Sequence, residues 1–257
     1  MIKHLLFALC LCVSLKSSAE QTMIKTHSHQ QTMNAIAEAA QQSQQAVRIA
    51  VLLYDNIVVQ DFAGPIEVFS KAKKLTQGHY QVFTVGFDKN PIRTEQDGLE
   101  IVPDYAISKM PEADYLLLPG ASMPVINELM QHDDLSAFIK NWNAQQNTKT
   151  VTICTGAYLL ANTGALDGKK ATTHFFVAND FAQLFPAVDL IKDTRFVDEG
   201  KYITSSGVTS GIDAALYIVG QNSGIPLRNM ISRALQYSFR QQENWPEPPA
   251  GMAFHRD

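Results

Sequence analysis

The stretch TVTICTGAYLLANTGALDGKKATTHF, residues 150–175, decides the fold. Its first residues, TVTIC (150–154), are a short continuous apolar run that favours a buried strand, and AYLLANTG has the apolar pattern of a helix. Cys154 stands where the strand turns into the helix. Such a turn resembles the nucleophile elbow of α/β enzymes, in which the backbone N–H of the following residue, here Thr155, faces a developing oxyanion.

Three further apolar runs are continuous rather than alternating: VRIAVLLY (47–54), YQVFTVGF (80–87) and DYLLLPG (114–120). Continuous runs are typical of strands that helices cover on both faces, as in a parallel sheet. Helical patterns lie between them, in PIEVFSKAKKL from Pro65 and in LSAFIKNWNAQQ. The alternation predicts an α/β fold, a three-layer sandwich with a mostly parallel central sheet.

Two segments depart from this alternation and favour β-hairpins. They are residues 92–105, and residues 189–207 with a turn at 198–200. The rest of the chain predicts a helix over residues 210–224, ended by Gly224, and a last helix from Pro226 to about Phe239.

The N-terminus has the composition of an export signal. A basic start precedes the apolar residues 5–15, and small residues end at Ala19. This layout predicts a signal peptide over residues 1–19 and a periplasmic or secreted protein, with no membrane attachment after cleavage. The apolar stretch is shorter than the roughly 20 residues that span a bilayer.

Loss of residues 1–19 would leave Cys154 as the only cysteine, so no internal disulfide is expected. It would also move the net charge from −4 to −6. An acidic chain lacks the basic surface of nucleic-acid-binding proteins, so no nucleic-acid partner is expected.

Residues 20–46 are rich in glutamine and poor in large apolar residues, which predicts a flexible leader. The pair His27 and His29 in this segment is not expected to form a specific metal site, and we predict none elsewhere. Residues 47–257 have the length of one single-core domain.

Three candidate residues follow strands: Asp61, Gly120 and Cys154. The carboxyl ends of parallel strands share one edge of the sheet, so these residues should meet there. Cys154 is either a reactive thiolate, stabilised by the start of the next helix, or a small buried apolar residue. Asp61 is either a partner of that sulfur or an ordinary helix cap.

Two other titratable residues stand near these positions in the sequence. His174 is the only histidine expected close to Cys154, as a base or as a hydrogen-bonded structural residue. Glu67 is expected to be an ordinary acid near the helix start.

Four motifs in order carry a family resemblance. They are the 150–175 stretch, LLYDNIVVQDFAGPIEVF (52–69), LLLPGAS (116–122) and YITSSGVTSGIDAAL (202–216). Together they resemble the ThiJ/PfpI superfamily, which has the class I glutamine amidotransferase-like, flavodoxin-like fold. They are most similar to its isonitrile hydratase branch, which also includes sensory domains of AraC-type regulators.

The resemblance implies a cofactor-free enzyme with Cys154 as nucleophile, and Asp61 and Thr155 as the rest of the catalytic set. The sulfur would add to the terminal carbon of an isonitrile, Asp61 would handle the proton, and water would release an N-substituted formamide. Gly120 and Ala121 stand where the family usually has a glycine pair beside the oxyanion. The resemblance also implies a small-molecule substrate and a homodimer.

Two other functions fit the same residues. One is a non-catalytic sensor domain for a small ligand, and the other is a thiol redox or carbonyl-stress protein in which Cys154 is oxidised or attacks an aldehyde. Thr155 replaces the histidine that follows the cysteine in protease-like members, so a peptidase or amidase would lack its base.

Overall fold

The computed structural model describes residues 46–96 and 98–242, together with Gln31, Asn34 and Trp245. The chain divides into two units, residues 1–44 and 45–257. In the first, Gln31 and Asn34 are helical and exposed. His27 and His29 lie outside the described residues, and the boundary expected at residue 46 stays a prediction.

The second unit is built on a seven-stranded sheet. Its strands are β1 (Val47–Leu52), β2 (Tyr80–Gly86), β5 (Tyr105–Ala106), β6 (Tyr115–Leu118), β7 (Lys149–Ile153), β10 (Phe196–Asp198) and β11 (Tyr202–Ser205). Their order is β10-β11-β7-β6-β1-β2-β5, and every pair is parallel except β10 with β11. Two small sheets pair β3 (Ile92–Arg93) with β4 (Glu100–Ile101) and β8 (Lys170–Ala171) with β9 (Asp189–Leu190).

Helices cover both faces of this sheet. They are α1 (Val59–Leu75), α2 (Met123–Met130), α3 (Asp133–Ala144), α4 (Gly156–Ala161), α5 (Ala178–Leu184) and α6 (Ser210–Ala234), with 3₁₀ turns at Ile107–Lys109 and Phe175–Val177. Helices α1 and α6 pack together on one face, and α4 lies against β6 and β7 with α2. Different helices therefore cover the two faces of β7. On one face Ile153 contacts the start of α6. On the other face the Thr150 hydroxyl donates a hydrogen bond to Asn143 of α3.

The predicted α/β sandwich with a mostly parallel sheet is confirmed. The four continuous apolar runs form β1, β2, β6 and β7, and all four residues of β6 are buried. Strand β1 pairs with β2 on one side and with β6 on the other. The chain leads from β1 to β2 on one side and from β6 to β7 on the other side. In sheets of this type, such a change of direction opens a crevice at the carboxyl ends of the two strands.

The first helix begins earlier than the position of Pro65 predicts. Helix α1 starts at Val59, so Pro65 lies inside it and Asp61 belongs to its first turn. The cause is tertiary: the Val58 N–H donates to the Gly120 carbonyl, and the Asp61 N–H donates to the Val58 carbonyl. The chain turns into a helix as soon as it has passed the end of β6.

Both predicted hairpins form, each over a shorter range than expected. β3 pairs with β4, and β10 pairs with β11 around Gly200, which has a φ of +77°. Residues 189–190 leave the second hairpin and pair with β8 instead. The break predicted at Gly224 is present as non-helical backbone with φ 83° inside α6, and the helix ends at Ala234 rather than near Phe239.

The predictions of a signal peptide and of the periplasm need correction. The signal would occupy residues 1–19, which lie outside the described residues. Among the described residues, no helix combines the length and the apolar character needed to cross a membrane. The structure gives an export signal no support, and the prediction is not carried further.

Candidate functional site

Cys154 sits at a strained turn between β7 and α4. Its φ is +57°, a left-handed conformation that costs a non-glycine residue about 1–2 kcal/mol. The Cys154 N–H donates to the Ser205 carbonyl of β11, and the Thr173 hydroxyl donates to the Cys154 carbonyl. The backbone on both sides of the turn is thus held, and the predicted elbow is present. The cysteine itself is only 5% exposed.

Asp61 meets Cys154 from helix α1, as the strand-end argument predicts. The residue has no exposed surface. Its Oδ2 accepts the Gly120 N–H at 2.9 Å. Its Oδ1 has no aligned hydrogen-bond partner among the described residues, and the Cys154 thiol is the neighbour that can donate to this carboxyl.

The segment Pro119–Gly120–Ala121, which follows β6, holds these two side chains together. Gly120 has no side chain, and a Cβ there would lie 2.6 Å from the Thr155 hydroxyl and 2.8 Å from Asp61 Oδ2. A glycine is therefore required for the close approach of α1 and the elbow. Gly156 is required for the same reason, because a Cβ on it would lie 2.0 Å from the Leu118 carbonyl oxygen.

Burial raises the pKa of both groups of the pair. Burial is the main cause that lifts the pKa of Asp61 to about 7, and the nearby Glu95 adds to it, against the Gly120 N–H and the thiol. Burial and the charge of Asp61 raise the pKa of the Cys154 thiol well above its ordinary value, although hydrogen bonds from Thr155 oppose this.

Burial therefore opposes the thiolate that the helix start would favour, and a reactive Cys154 stays a prediction. Helix α4 has six residues, so its dipole is small, and the loss of water around the sulfur outweighs it. The two groups instead behave as one coupled acid. The two protons of such a pair leave in coupled steps, and burial raises the pKa of both groups.

Thr155 links the elbow to the segment after β6. Its hydroxyl accepts the Ala121 N–H at 2.9 Å and donates to the Ala121 carbonyl at 2.7 Å. Its backbone N–H is directed at the Cys154 sulfur. Because the hydroxyl has one proton, it can serve either the Ala121 carbonyl or a developing negative charge on the sulfur.

Gly120 and Ala121 were expected beside an oxyanion, and they contact Asp61 and Thr155, the two residues next to the Cys154 sulfur. The Gly120 N–H is bound to Asp61, and the Ala121 N–H is bound to Thr155. Neither N–H is free in this structure. The Thr155 N–H is the backbone donor that remains directed at the sulfur, and the oxyanion role of the other two stays a prediction.

Among the described residues, His174 and Glu67 have hydrogen-bond or ion-pair partners other than the pair. The Nδ1 of His174 accepts the Phe176 N–H at 3.4 Å, and burial lowers the pKa of this histidine. No hydrogen bond joins His174 to Cys154 or Asp61 within the described stretch of the chain. Glu67 is exposed on α1 and forms an ion pair with Lys71 at 2.8 Å.

Tyr54 lies within the 52–69 motif, but the resemblance gives this site residue no role. It follows β1, it is buried, and its hydroxyl donates to the Pro119 carbonyl. Burial raises its pKa well above the ordinary value, and the charges of Asp61 and Cys154 add to the shift. The signal that could have found it is its position at the carboxyl end of a predicted strand.

A metal centre has no support in the described residues, because no three His, Cys, Asp or Glu side chains there form a group that could hold an ion. What the site offers is a thiol and a carboxyl that lie side by side in a buried position. This arrangement suits addition of a thiol to a small electrophile with proton transfer by the acid.

Residues 47–221 match the DJ-1/PfpI family. Isonitrile hydratase of Pseudomonas putida is 30% identical over 206 residues, which are 79% of this chain and 81% of the relative. The HTH-type transcriptional regulator GbdR of Pseudomonas aeruginosa is 27% identical over 74% of this chain. The match spans only half of that regulator's length.

A solved structure resembles the whole sandwich. The ThiJ/PfpI family protein of Pseudomonas syringae superposes with a TM-score of 0.65 at 25% identity, over 81% of this chain and 79% of that one. The family resemblance read from the four motifs is confirmed.

Proposed function

The chain belongs to the DJ-1/PfpI family, and we propose that it is a cofactor-free, cysteine-dependent enzyme of the isonitrile hydratase type. It would add water to an isonitrile and release an N-substituted formamide. Its substrate would be a small molecule with a terminal carbon that is bonded only to nitrogen.

The observation that carries the proposal is the buried pair of Cys154 and Asp61. Asp61 keeps a proton up to about pH 7, so a carboxylic acid is available at neutral pH beside a nucleophilic atom. Isonitrile hydration needs both in one place, because the same carbon receives a proton and a nucleophile.

In the form that reacts, the pair carries one proton, which the Asp61 carboxyl holds while the sulfur is a thiolate. Asp61 delivers this proton to the terminal carbon, and the sulfur forms a bond to the same carbon. The product is a thioimidate, in which carbon is bound to sulfur and doubly bound to nitrogen, and Asp61 is left as a carboxylate. The Thr155 N–H and hydroxyl stabilise the thiolate before the bond forms, and again when the sulfur leaves in the second step.

In the second step water attacks the thioimidate carbon. The Asp61 carboxylate takes a proton from this water and passes it to the nitrogen, which gives a tetrahedral intermediate that carries a hydroxyl group. The carbon–sulfur bond then breaks, the hydroxyl loses the second proton of the water to Asp61, and the formamide leaves. The pair again carries one proton, so atoms and charges balance. Asp61 thus acts first as an acid and then as a base.

The same geometry argues against acyl transfer. A peptidase or amidase builds negative charge on a carbonyl oxygen and needs several donors for it. Here the Gly120 and Ala121 N–H groups are already bound to side chains, and Thr155 replaces a histidine base. The pair can donate a proton to a carbon atom, but it does not offer hydrogen-bond donors to an oxyanion.

The test is formamide production from a simple alkyl isonitrile, followed by chromatography at pH 7. We expect Cys154→Ala to abolish turnover. Asp61→Asn should lower it at least 100-fold, because asparagine can still accept the Gly120 N–H and cannot move a proton. Glu67→Gln, which changes an exposed carboxyl on the same helix, is the matched control and should keep full turnover.

Turnover by Cys154→Ala at the wild-type rate would exclude the sulfur as nucleophile. No turnover by the wild type, with Cys154 still open to alkylation, would reject the isonitrile as substrate and leave the pair intact for another electrophile.

A second candidate function is a non-catalytic sensor for a small ligand. The low exposure of Cys154 and the similarity to a transcriptional regulator favour it. A sensor would show thermal stabilisation by its ligand that persists in Cys154→Ala. An enzyme of the proposed type would lose the covalent step in that variant.

A further inference from the structure

Two side chains hold one peptide unit from opposite sides. The Tyr54 hydroxyl donates to the Pro119 carbonyl, and the Asp61 carboxylate accepts the Gly120 N–H at 2.9 Å. This carbonyl and this N–H belong to the same planar peptide unit and point in opposite directions. A line of hydrogen bonds therefore runs from the phenol, through one peptide, to the acid.

Hydrogen bonds in such a line strengthen one another. A donor on the carbonyl oxygen pulls electrons toward that oxygen and makes the N–H on the other side of the peptide a better donor. The better donor stabilises the ionised form of the carboxyl that accepts it. The line lies in the interior, where Tyr54 is buried and Asp61 has no exposed surface, so water does not screen it.

We infer that Tyr54 is a positioning residue: it orients and polarises the Pro119–Gly120 peptide, and through this peptide it sets how readily Asp61 gives up its proton. The phenol is not a reactant, because its own proton is directed at the Pro119 carbonyl. The inference deepens the proposed function, since the acid it tunes is the one assigned to the isonitrile carbon.

Other groups that face Asp61 must be held constant in a test. The titratable ones around it are Cys154 at the end of β7, Tyr54 after β1 and Glu95 in the loop between β3 and β4. Tyr80 offers a matched control. It is also a fully buried tyrosine with one hydrogen bond, from or to the Ser223 hydroxyl at 2.8 Å.

The experiment is an infrared titration of the protonated carboxyl band, assigned by its loss in Asp61→Asn. The wild type should titrate near pH 7. In Tyr54→Phe the midpoint should rise by about half a pH unit or more, because the Gly120 N–H becomes a weaker donor. Tyr80→Phe should leave the midpoint where it is.

A second variant guards against misfolding of Tyr54→Phe. Difluorotyrosine at position 54 keeps the shape and donates a stronger hydrogen bond, so the midpoint should move down instead. Shifts of opposite sign support the inference. An unchanged midpoint in either folded variant overturns it. The infrared band does not depend on isonitrile turnover, so failure of the proposed reaction leaves this result readable.

Discussion

Asp61 is a carboxyl without exposed surface, and its effect on stability depends on pH. Burial raises the pKa of Asp61 from 3.8 to about 7, so the folded protein binds this proton more tightly than the unfolded chain. The resulting stabilisation is fully present below about pH 4. It is lost as the pH rises through 7, because the folded state must then carry a buried charge.

The stability of the Asp61→Asn variant relative to the wild type should therefore increase as the pH rises. We expect the difference in unfolding free energy between the two to increase by about 2–4 kcal/mol from pH 4 to pH 8. Urea unfolding at several pH values measures it, and other titrating groups cancel in the difference. Glu67→Gln is the control for loss of one carboxyl. A difference that stays constant with pH would show that Asp61 is ionised throughout.

For single residues, the sequence predicted where side chains lie better than it predicted their pKa values. The residues at strand ends, Cys154 and Asp61, could be paired because parallel strands finish at one edge. The pKa of the thiol could not be predicted in direction, because burial depends on side chains from several elements. The role of Tyr54 was not predicted, because the carbonyl that its hydroxyl binds lies 65 residues away and no local motif marks this contact.

At the scale of single elements, strand β7 carries a buried hydroxyl whose effect can be measured. Thr152 of β7 and Thr204 of β11 are register partners, and both are almost fully buried. The Thr204 hydroxyl accepts the Thr172 N–H at 2.9 Å. The Thr152 hydroxyl has no hydrogen-bond partner among the described residues. The two threonines thus share an environment and differ in one hydrogen bond.

Valine at these two positions should have opposite effects. Thr152→Val removes an unsatisfied polar atom at constant shape, and we expect the unfolding free energy to rise by about 1 kcal/mol. Thr204→Val leaves the Thr172 N–H without its acceptor and should cost about 1–2 kcal/mol. Denaturant midpoints with unchanged slopes measure both. Equal losses in the two variants would mean that the Thr152 hydroxyl is hydrogen-bonded in solution.

Element boundaries show why local patterns are incomplete. Pro65 favours a helix start, yet α1 begins at Val59 because the preceding turn bonds to Gly120, which is distant in sequence. Gly224 breaks α6 as its type predicts, since its φ of 83° needs no partner from elsewhere. A local sequence pattern predicts a helix boundary correctly where the backbone conformation itself requires a particular residue. It fails where contacts with distant residues set the boundary.

On the scale of the whole molecule, the layers follow from the apolar runs, whereas the sheet order does not. Continuous buried strands alternating with helices imply a covered parallel sheet. The order β10-β11-β7-β6-β1-β2-β5 depends on pairings between distant segments, and it decides which strand ends meet. The predicted homodimer also concerns surfaces beyond one chain and stays a prediction.

The segment that follows α6 is tied to the start of that helix by Asp213. This carboxyl, in the first turn of α6, has no exposed surface. It forms an ion pair with Arg195 at 2.7 Å and accepts the Tyr237 hydroxyl at 2.7 Å. Its other oxygen accepts the Arg240 N–H at 2.8 Å. One side chain thus joins α6, the residue before β10 and the segment after α6.

Asp213→Asn should weaken the whole domain, because it removes the buried negative charge that forms the ion pair with Arg195. We expect a loss of about 3 kcal/mol in the free energy of unfolding by urea at pH 7. Glu100→Gln is the matched control, since it breaks the exposed Arg93–Glu100 pair of 3.0 Å and should cost less than about 1 kcal/mol. If the two variants lost equal stability, burial would not distinguish these ion pairs. The C-terminal segment would then be held by its backbone and aromatic contacts, such as that between Phe196 and Phe239, rather than by Asp213.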